Sequence, residues 1–138
     1  MSVLKIFTDG ACRGNPGPAG VGVVIFNETG EVVKTISHSI GQATNNIAEY
    51  TALIYALQEA LVLKATRVKI HTDSELMYCQ LNGEYKIKNE KLKILFDQAQ
   101  HLKQGFEHFE MKLVPREENH EADRLASKAI LNVKGDRV

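Results

Sequence analysis

Four acidic residues, Asp9, Glu49, Asp73 and Asp123, raise the question of what they bind. Taken singly, each has an ordinary explanation. Asp9 can bond its own backbone in a turn, and Glu49 suits the positive end of a helix. Asp73 can cap the helix that follows it, and Asp123 can be one more surface charge in an acidic run. Taken together they share a pattern. Asp9 and Asp73 each follow an apolar, β-rich run through the same Thr-Asp step, at the carboxyl end of a strand, where open α/β sheets place ligands. Glu49 is followed at helical spacing by Ala52, Ala56 and Ala60, a small-residue stripe that lets a helix press close to its neighbour. Asp123 borders the apolar face formed by Ala122, Leu125, Ala126 and Ala129. Four carboxylates brought together would repel and raise one another's pKa values. Divalent cations that prefer hard oxygen ligands, Mg²⁺ or Mn²⁺, would keep them ionised. Two such ions suit in-line displacement at phosphorus.

The stretch "TDGACRGNPGPAG" around Asp9 offers a competing chemistry, a glycine loop that cradles a phosphate. It contains neither GxGxxG leading into a helix nor a terminal Gly-Lys-Ser/Thr. Pro16 and Pro18 remove two of the backbone donors such a cradle needs, and the residues that follow read as a strand. The aspartate is therefore the chemically informative residue.

The elements that must position these acids are legible from periodicity. Val3–Phe7 reads as a strand, and Val21–Phe26 and Val32–Ile40 as a hairpin joined at "NETG". "TNNIAEYTALIYALQEALVL" is helical, with Thr44 or Asn45 as N-cap. "RVKIHTD" is a strand and "SELMYCQL" a short helix ended by Asn82-Gly83. Asn89 to Gln104 is amphipathic and stops at Gly105. "FEHFEMKLV" alternates as a strand, and "NHEADRLASKAIL" is a last helix. The order β-β-β-α-β-α-α-β-α implies an α/β domain with a mixed sheet and helices packed on it.

Length favours a single domain over residues 1–138, with residues 132–138 fraying as a tail. The composition is that of an ordinary globular chain, and no apolar run is long enough for a membrane span. No signal peptide is read at the N-terminus. Cys12 and Cys79 suggest no disulfide framework, which fits a reducing cytoplasm. Net charge is zero, which argues mildly against a nucleic-acid binder. The charge is uneven, however: "EYKIKNEKLK" holds four lysines against two glutamates. A solvated helix face and a phosphate-contacting patch are both open readings of it. Nothing in the chain calls for an obligate protein partner.

The blocks "TDGACRGNPGPAG", "TNNIAEYTAL", "HTDSEL" and "NHEADRLA" together resemble the signature blocks of ribonuclease H, type 1, in order and over nearly the whole chain, from Val3 to Ile130. The resemblance implies a ribonuclease H-like fold, with a five-stranded mixed sheet, an antiparallel hairpin plus parallel strands, flanked by helices. It implies cleavage of the RNA strand of an RNA–DNA hybrid with two Mg²⁺ ions (Mn²⁺ as the alternative), leaving 5′-phosphate and 3′-hydroxyl ends. Asp9, Glu49, Asp73 and Asp123 match the family's catalytic, metal-binding carboxylates. Cys12, Arg13 and Asn15 match positions that approach the hybrid's minor groove, where 2′-hydroxyls are exposed. Asn45 matches a further hybrid contact, and Thr44 and Asn46 match positions near the DNA strand's phosphate. Three departures stand out. The basic, tryptophan-containing protrusion is replaced by "NGEYKIKN", with Lys86 and Lys88 as partial substitutes. The family's loop histidine is absent from "VPREEN", where Arg116 stands near its place, and His120 does not align with it. Glu75 stands where an amide often donates to RNA. Two other readings fit the same blocks: a nucleic-acid-binding module of the same fold with little turnover, and a nuclease that also cuts double-stranded RNA.

Overall fold

The computed structural model describes the backbone of residues 2–136 and the side chains of residues 2–130. Its elements are β1 (Val3–Cys12), β2 (Gly17–Phe26), β3 (Val32–Ala43), α1 (Asn45–Val62), β4 (Arg67–Thr72), α2 (Glu75–Leu81), α3 (Glu90–Lys103), β5 (His108–Leu113), a 3₁₀ turn (Arg116–Asn119) and α4 (His120–Asp136). The order matches the one read from periodicity. The tail expected to fray over residues 132–138 has a helical backbone as far as Asp136; its last two residues lie outside the described ones. No helix among the described residues is long and apolar enough to cross a membrane.

The five strands form one mixed sheet in the order β3-β2-β1-β4-β5. β1 pairs antiparallel with β2 and parallel with β4, β2 antiparallel with β3, and β4 parallel with β5. Alternation sorts the strand residues onto two faces. Leu4, Ile6, Val23, Ile25, Val68 and Ile70 form one buried face, packed with Tyr50, Leu53, Ile54 and Leu57 of α1. α3 packs on α1, and α4 crosses β1, β2 and β3 on the opposite face.

Helix starts follow local chemistry. The side-chain oxygens of Thr44, Ser74 and Asn89 each accept a backbone N–H from the first turn of α1, α2 and α3 respectively, satisfying donors a helix start leaves free.

The glycine-rich opening differs from its expected form. β1 extends to Cys12 and β2 begins at Gly17, so only the residues between them turn. Gly14, with φ of +90°, and Gly17, packed on the Arg13 carbonyl, serve the turn itself, whereas the glycines inside the strands make room for helices. A Cβ on Gly10 would lie 2.4 Å from the carbonyl carbon of Ala48 in α1, and one on Gly22 would lie 2.1 Å from the carbonyl oxygen of Ala122 in α4. Each glycine lets a helix lie directly on a central strand. Ala52, Ala56 and Ala60 are fully buried in α1, as the small-residue stripe predicts, and so is Ala48.

Candidate active site

β4 stops pairing with β1 at the step Phe7↔His71. Beyond it, Asp9 and Asp73 each stand two residues further along, at equivalent positions on adjacent parallel strands. Asp9 lies within β1, and Asp73 immediately after β4. Past this point the β4-side edge of β1 has no strand to bond, and two side chains complete it. The Gly10 N–H donates to Glu49 Oε1 at 3.1 Å. The Thr8 carbonyl accepts from Asn119 Nδ2 at 2.8 Å. One comes from α1 and the other from the turn before α4, so the helices on both faces are tied to the strand that holds Asp9.

The carboxylates converge. One oxygen each from Asp9, Glu49 and Asp73 lies within 4.8 Å of the others. Asp123 lines the same cavity, of about 780 Å³, together with Asn45, Glu75, Arg116 and Ser127. Asp9 pairs across the sheet with Gly22, the glycine on which the Ala122 turn of α4 rests. That contact brings Asp123 alongside Asp9. Asp9 and Glu49 are each only 5% exposed.

The electrostatics follow from burial. Desolvation first, then the charges of Glu49, Asp73 and Asp123, pushes Asp9 up to about 10. Desolvation, then Asp73, pushes Glu49 up to about 8, against the pull of the Gly10 N–H. Burial also raises Asp73, opposed by hydrogen bonding from Asn119 and by the Arg116 guanidinium. Among the described residues, the ion pairs are Lys69–Glu110 and Arg124–Glu121, and neither involves these four acids. The cluster therefore holds hard oxygen donors and excess negative charge with no paired base. That donor set fits Mg²⁺ or Mn²⁺.

The remaining candidates divide. Cys12, Asn45 and Arg116 line the carboxylate cavity. Thr44 is occupied as the α1 N-cap, its hydroxyl accepting the Ile47 N–H at 3.2 Å. Asn15 accepts the Asn45 N–H at 2.9 Å, tying the β1–β2 turn to the start of α1. Arg13 is exposed on that turn, and Asn46 is half-buried. Lys86 and Lys88 are exposed on the segment between α2 and α3, outside the cavity's lining. His120 faces a separate small groove with Phe7, Phe26 and Ala122.

Sequence reasoning missed Asn119 and Ser127. Asn119 is almost fully buried, and its amide also reaches Asp73 Oδ2 at 3.4 Å. Both stand four residues from Asp123, one before and one after, a spacing that could have drawn attention to them.

A profile of the family described as "Reverse transcriptase-like" matches residues 7–129. The chain is 43% identical over 128 residues to the "Bifunctional protein Rv2228c" of Mycobacterium tuberculosis, covering 92% of this chain and 35% of that protein. It thus spans about a third of the length of these mycobacterial relatives. It is similar to the crystal structure of RNase H1 from Halobacterium salinarum, at 38% identity and a TM-score of 0.92, with 94% of this chain and 98% of that one covered. It is also similar to LC11-RNase H1 in complex with an RNA/DNA hybrid, at 41% identity and a TM-score of 0.89, with 94% and 98% covered.

Proposed function

The chain belongs to the type 1 ribonuclease H family, and on that footing we propose that it is an endoribonuclease cutting the RNA strand of RNA–DNA hybrids, leaving 5′-phosphate and 3′-hydroxyl ends. The observation that carries this reading is the meeting of Asp9, Glu49 and Asp73 within 4.8 Å, with Asp123 on the same cavity wall. A module that only bound nucleic acid would gain nothing from unpaired acids beside phosphate.

The four carboxylates would hold two Mg²⁺ ions, with Mn²⁺ as the alternative of the same donor preference. Bound there, such ions supply a hydroxide nucleophile from water and offset the charge on the leaving oxygen. The chain's own residues prepare the site. Gly10 N–H fixes Glu49 by one carboxylate oxygen, and holds the group where an oxygen of it lies within 4.8 Å of oxygens of Asp9 and Asp73. Asn119 holds Asp73 and the Thr8 carbonyl together, so the two strand ends cannot drift apart. Arg116 brings positive charge to the Asp73 side of the cavity, where a scissile phosphate would sit, and takes the place of the loop histidine. His120 lines a different groove, which favours Arg116 for that place.

Substrate contact falls to Cys12 and Asn45 at the cavity rim, with Arg13, Asn15, Thr44 and Asn46 behind them. Asn15 spends its carbonyl on Asn45, which leaves its amide NH₂ as a donor toward minor-groove acceptors. Lys86 and Lys88 contribute long-range attraction to phosphates. The free thiols of Cys12 and Cys79 suit the cytoplasm.

Purified protein incubated with end-labelled RNA–DNA, RNA–RNA and DNA–DNA duplexes in Mg²⁺ or Mn²⁺ tests the proposal. The RNA of the hybrid alone is cut, and Asp9→Asn, Glu49→Gln and Asp73→Asn fold but do not cut. Robust cleavage by all three variants, or equal cleavage of RNA–RNA, would overturn it.

A further inference from the structure

α4 covers only part of its face of the sheet. Among the described residues no helix lies over β4 and β5 on that side, and the strand register sets out what stands there. The rows run Val3–Arg67–His108, Lys5–Lys69–Glu110 and Phe7–His71–Lys112 across β1, β4 and β5. Four cations thus share an open surface with one acid, Glu110, in a protein of zero net charge. Lys5, Arg67 and Lys112 are exposed, and Lys69 is half-buried beside Glu110 at 4.0 Å.

Aromatic surface is interleaved with this charge. Phe7 stacks on His71 with ring centroids 4.4 Å apart and planes 18° from parallel. Phe26 meets Phe7 edge-on at 5.9 Å, and Lys5 Nζ lies 5.5 Å from the Phe7 ring centre. A groove of about 650 Å³ beside this face is lined by Val3, Lys5, Phe7, Phe26, Asn27 and Glu28. His71 itself is buried, while Phe7 and Phe26 remain partly exposed. Cations that can track a backbone, beside partly exposed aromatic rings, are the elements of a single-strand binding surface.

The position gives this surface an occupant. β4 carries Arg67 and Lys69 along the open face and delivers Asp73 at its end. β5 carries Lys112 immediately before Leu113 and Val114, which line the carboxylate cavity. The basic face is therefore continuous with the site. Removing RNA from a hybrid leaves its DNA strand single.

We propose that the open β1–β4–β5 face is a second binding surface, and that it holds the single-stranded DNA flanking the hybrid at the cavity, with Lys5, Lys69 and Lys112 on its phosphates. This rests on the hybrid-nuclease reading and extends it: the enzyme stays on the strand it has stripped. Affinity for flanked substrates then comes from this face in the absence of a basic protrusion.

The test compares wild type with the variant Lys5→Ala/Lys69→Ala/Lys112→Ala, which leaves every cavity residue in place. Binding of a labelled oligodeoxythymidine of about twelve nucleotides, within the usual site size for such surfaces, is followed by anisotropy in chelator. Wild type binds it, the variant binds about tenfold more weakly, and the salt slope of log affinity drops by about two for three lost contacts. KM and kcat are then measured for a blunt hybrid and for the same hybrid carrying a single-stranded DNA extension. Wild type shows a lower KM for the extended hybrid, whereas the variant treats the two alike and keeps wild-type kcat on the blunt one. Equal oligonucleotide binding by both proteins, or no KM advantage of the extension in wild type, would overturn the proposal. Wild type that binds the oligonucleotide but cuts neither hybrid would instead refute the nuclease reading and leave this surface standing.

Discussion

The carboxylate cavity and the open basic face are built on the same strands, yet they are opposite electrostatic objects. At the cavity, acids are taken out of water, so Asp9 and Glu49 are driven toward their protonated forms. On the open face the exposed lysines remain in water, where their mutual repulsion is screened. A buried cluster of like charge is incomplete and defines a specific ligand, because only a compact, multivalent counter-charge relieves it. A solvated cluster of like charge is stable as it stands, and attracts any polyanion that approaches. The two proposals thus divide the work: specificity at the first and affinity at the second.

Neutralising the cavity is the most drastic way to break this contrast. Asp9→Asn is expected to lower kcat by about a thousandfold, equal to about 4 kcal/mol of transition-state stabilisation, with hybrid binding retained. Single-turnover cleavage alongside a binding titration would show the split.

A steric change ranks next. Gly10→Val places side-chain carbon where the Ala48–Glu49 backbone already lies. It should cost about 2–3 kcal/mol of stability and move Glu49 away from Asp9. Urea denaturation and activity at saturating Mg²⁺ measure the two effects, and a lysine change on the open face should produce neither.

Asn119→Ala removes the amide bonded to the Thr8 carbonyl and leaves that buried acceptor unpaired. A loss of about 1–3 kcal/mol is expected, with kcat falling while KM stays near wild type. Asn119→Asp restores the shape without the donor, so it should not rescue kcat.

A last test, with no substitution at all, sharpens the contrast through pH. Burial and the neighbouring carboxylates push Asp9 up to about 10 and Glu49 up to about 8, from ordinary values of 3.8 and 4.5. Between these limits the folded protein holds more protons than the unfolded chain, so metal-free stability falls as pH rises from about 4 through about 8 and on toward 10. Thermal melts in chelator should show Tm dropping across this range. Added Mg²⁺ should raise Tm more at pH 8 than at pH 6, where protons compete with the ion.

Most of the fold is legible in the sequence, because its signals are local. Thr44 caps α1 as read, Gly83 follows α2 with φ of +78°, and the strand order follows from apolar runs and connections. The cap of α2 is Ser74, not Asp73 as its position suggested, which leaves the Asp73 carboxylate free for the cavity. The four acids are legible because each stands at an element's end or edge. What escapes depends on register. Gly10 looks like part of a turn, and only the seating of α1 on β1 explains it. Asn119 resembles a helix cap until the unpaired edge of β1 comes within its reach. Lys5, Lys69 and Lys112 are unremarkable in their own segments, and become a surface only once β1, β4 and β5 lie side by side.

The clamp between Asn119 and Thr8 joins residues 111 positions apart, near the two ends of the fold. A chain emerging from a ribosome would assemble the first three acids long before this contact could close. Contacts of such long sequence separation are slow to form, so the nuclease should gain its activity late in folding, only after its last helix docks. Until then a partly made chain would be harmless to any hybrid nearby.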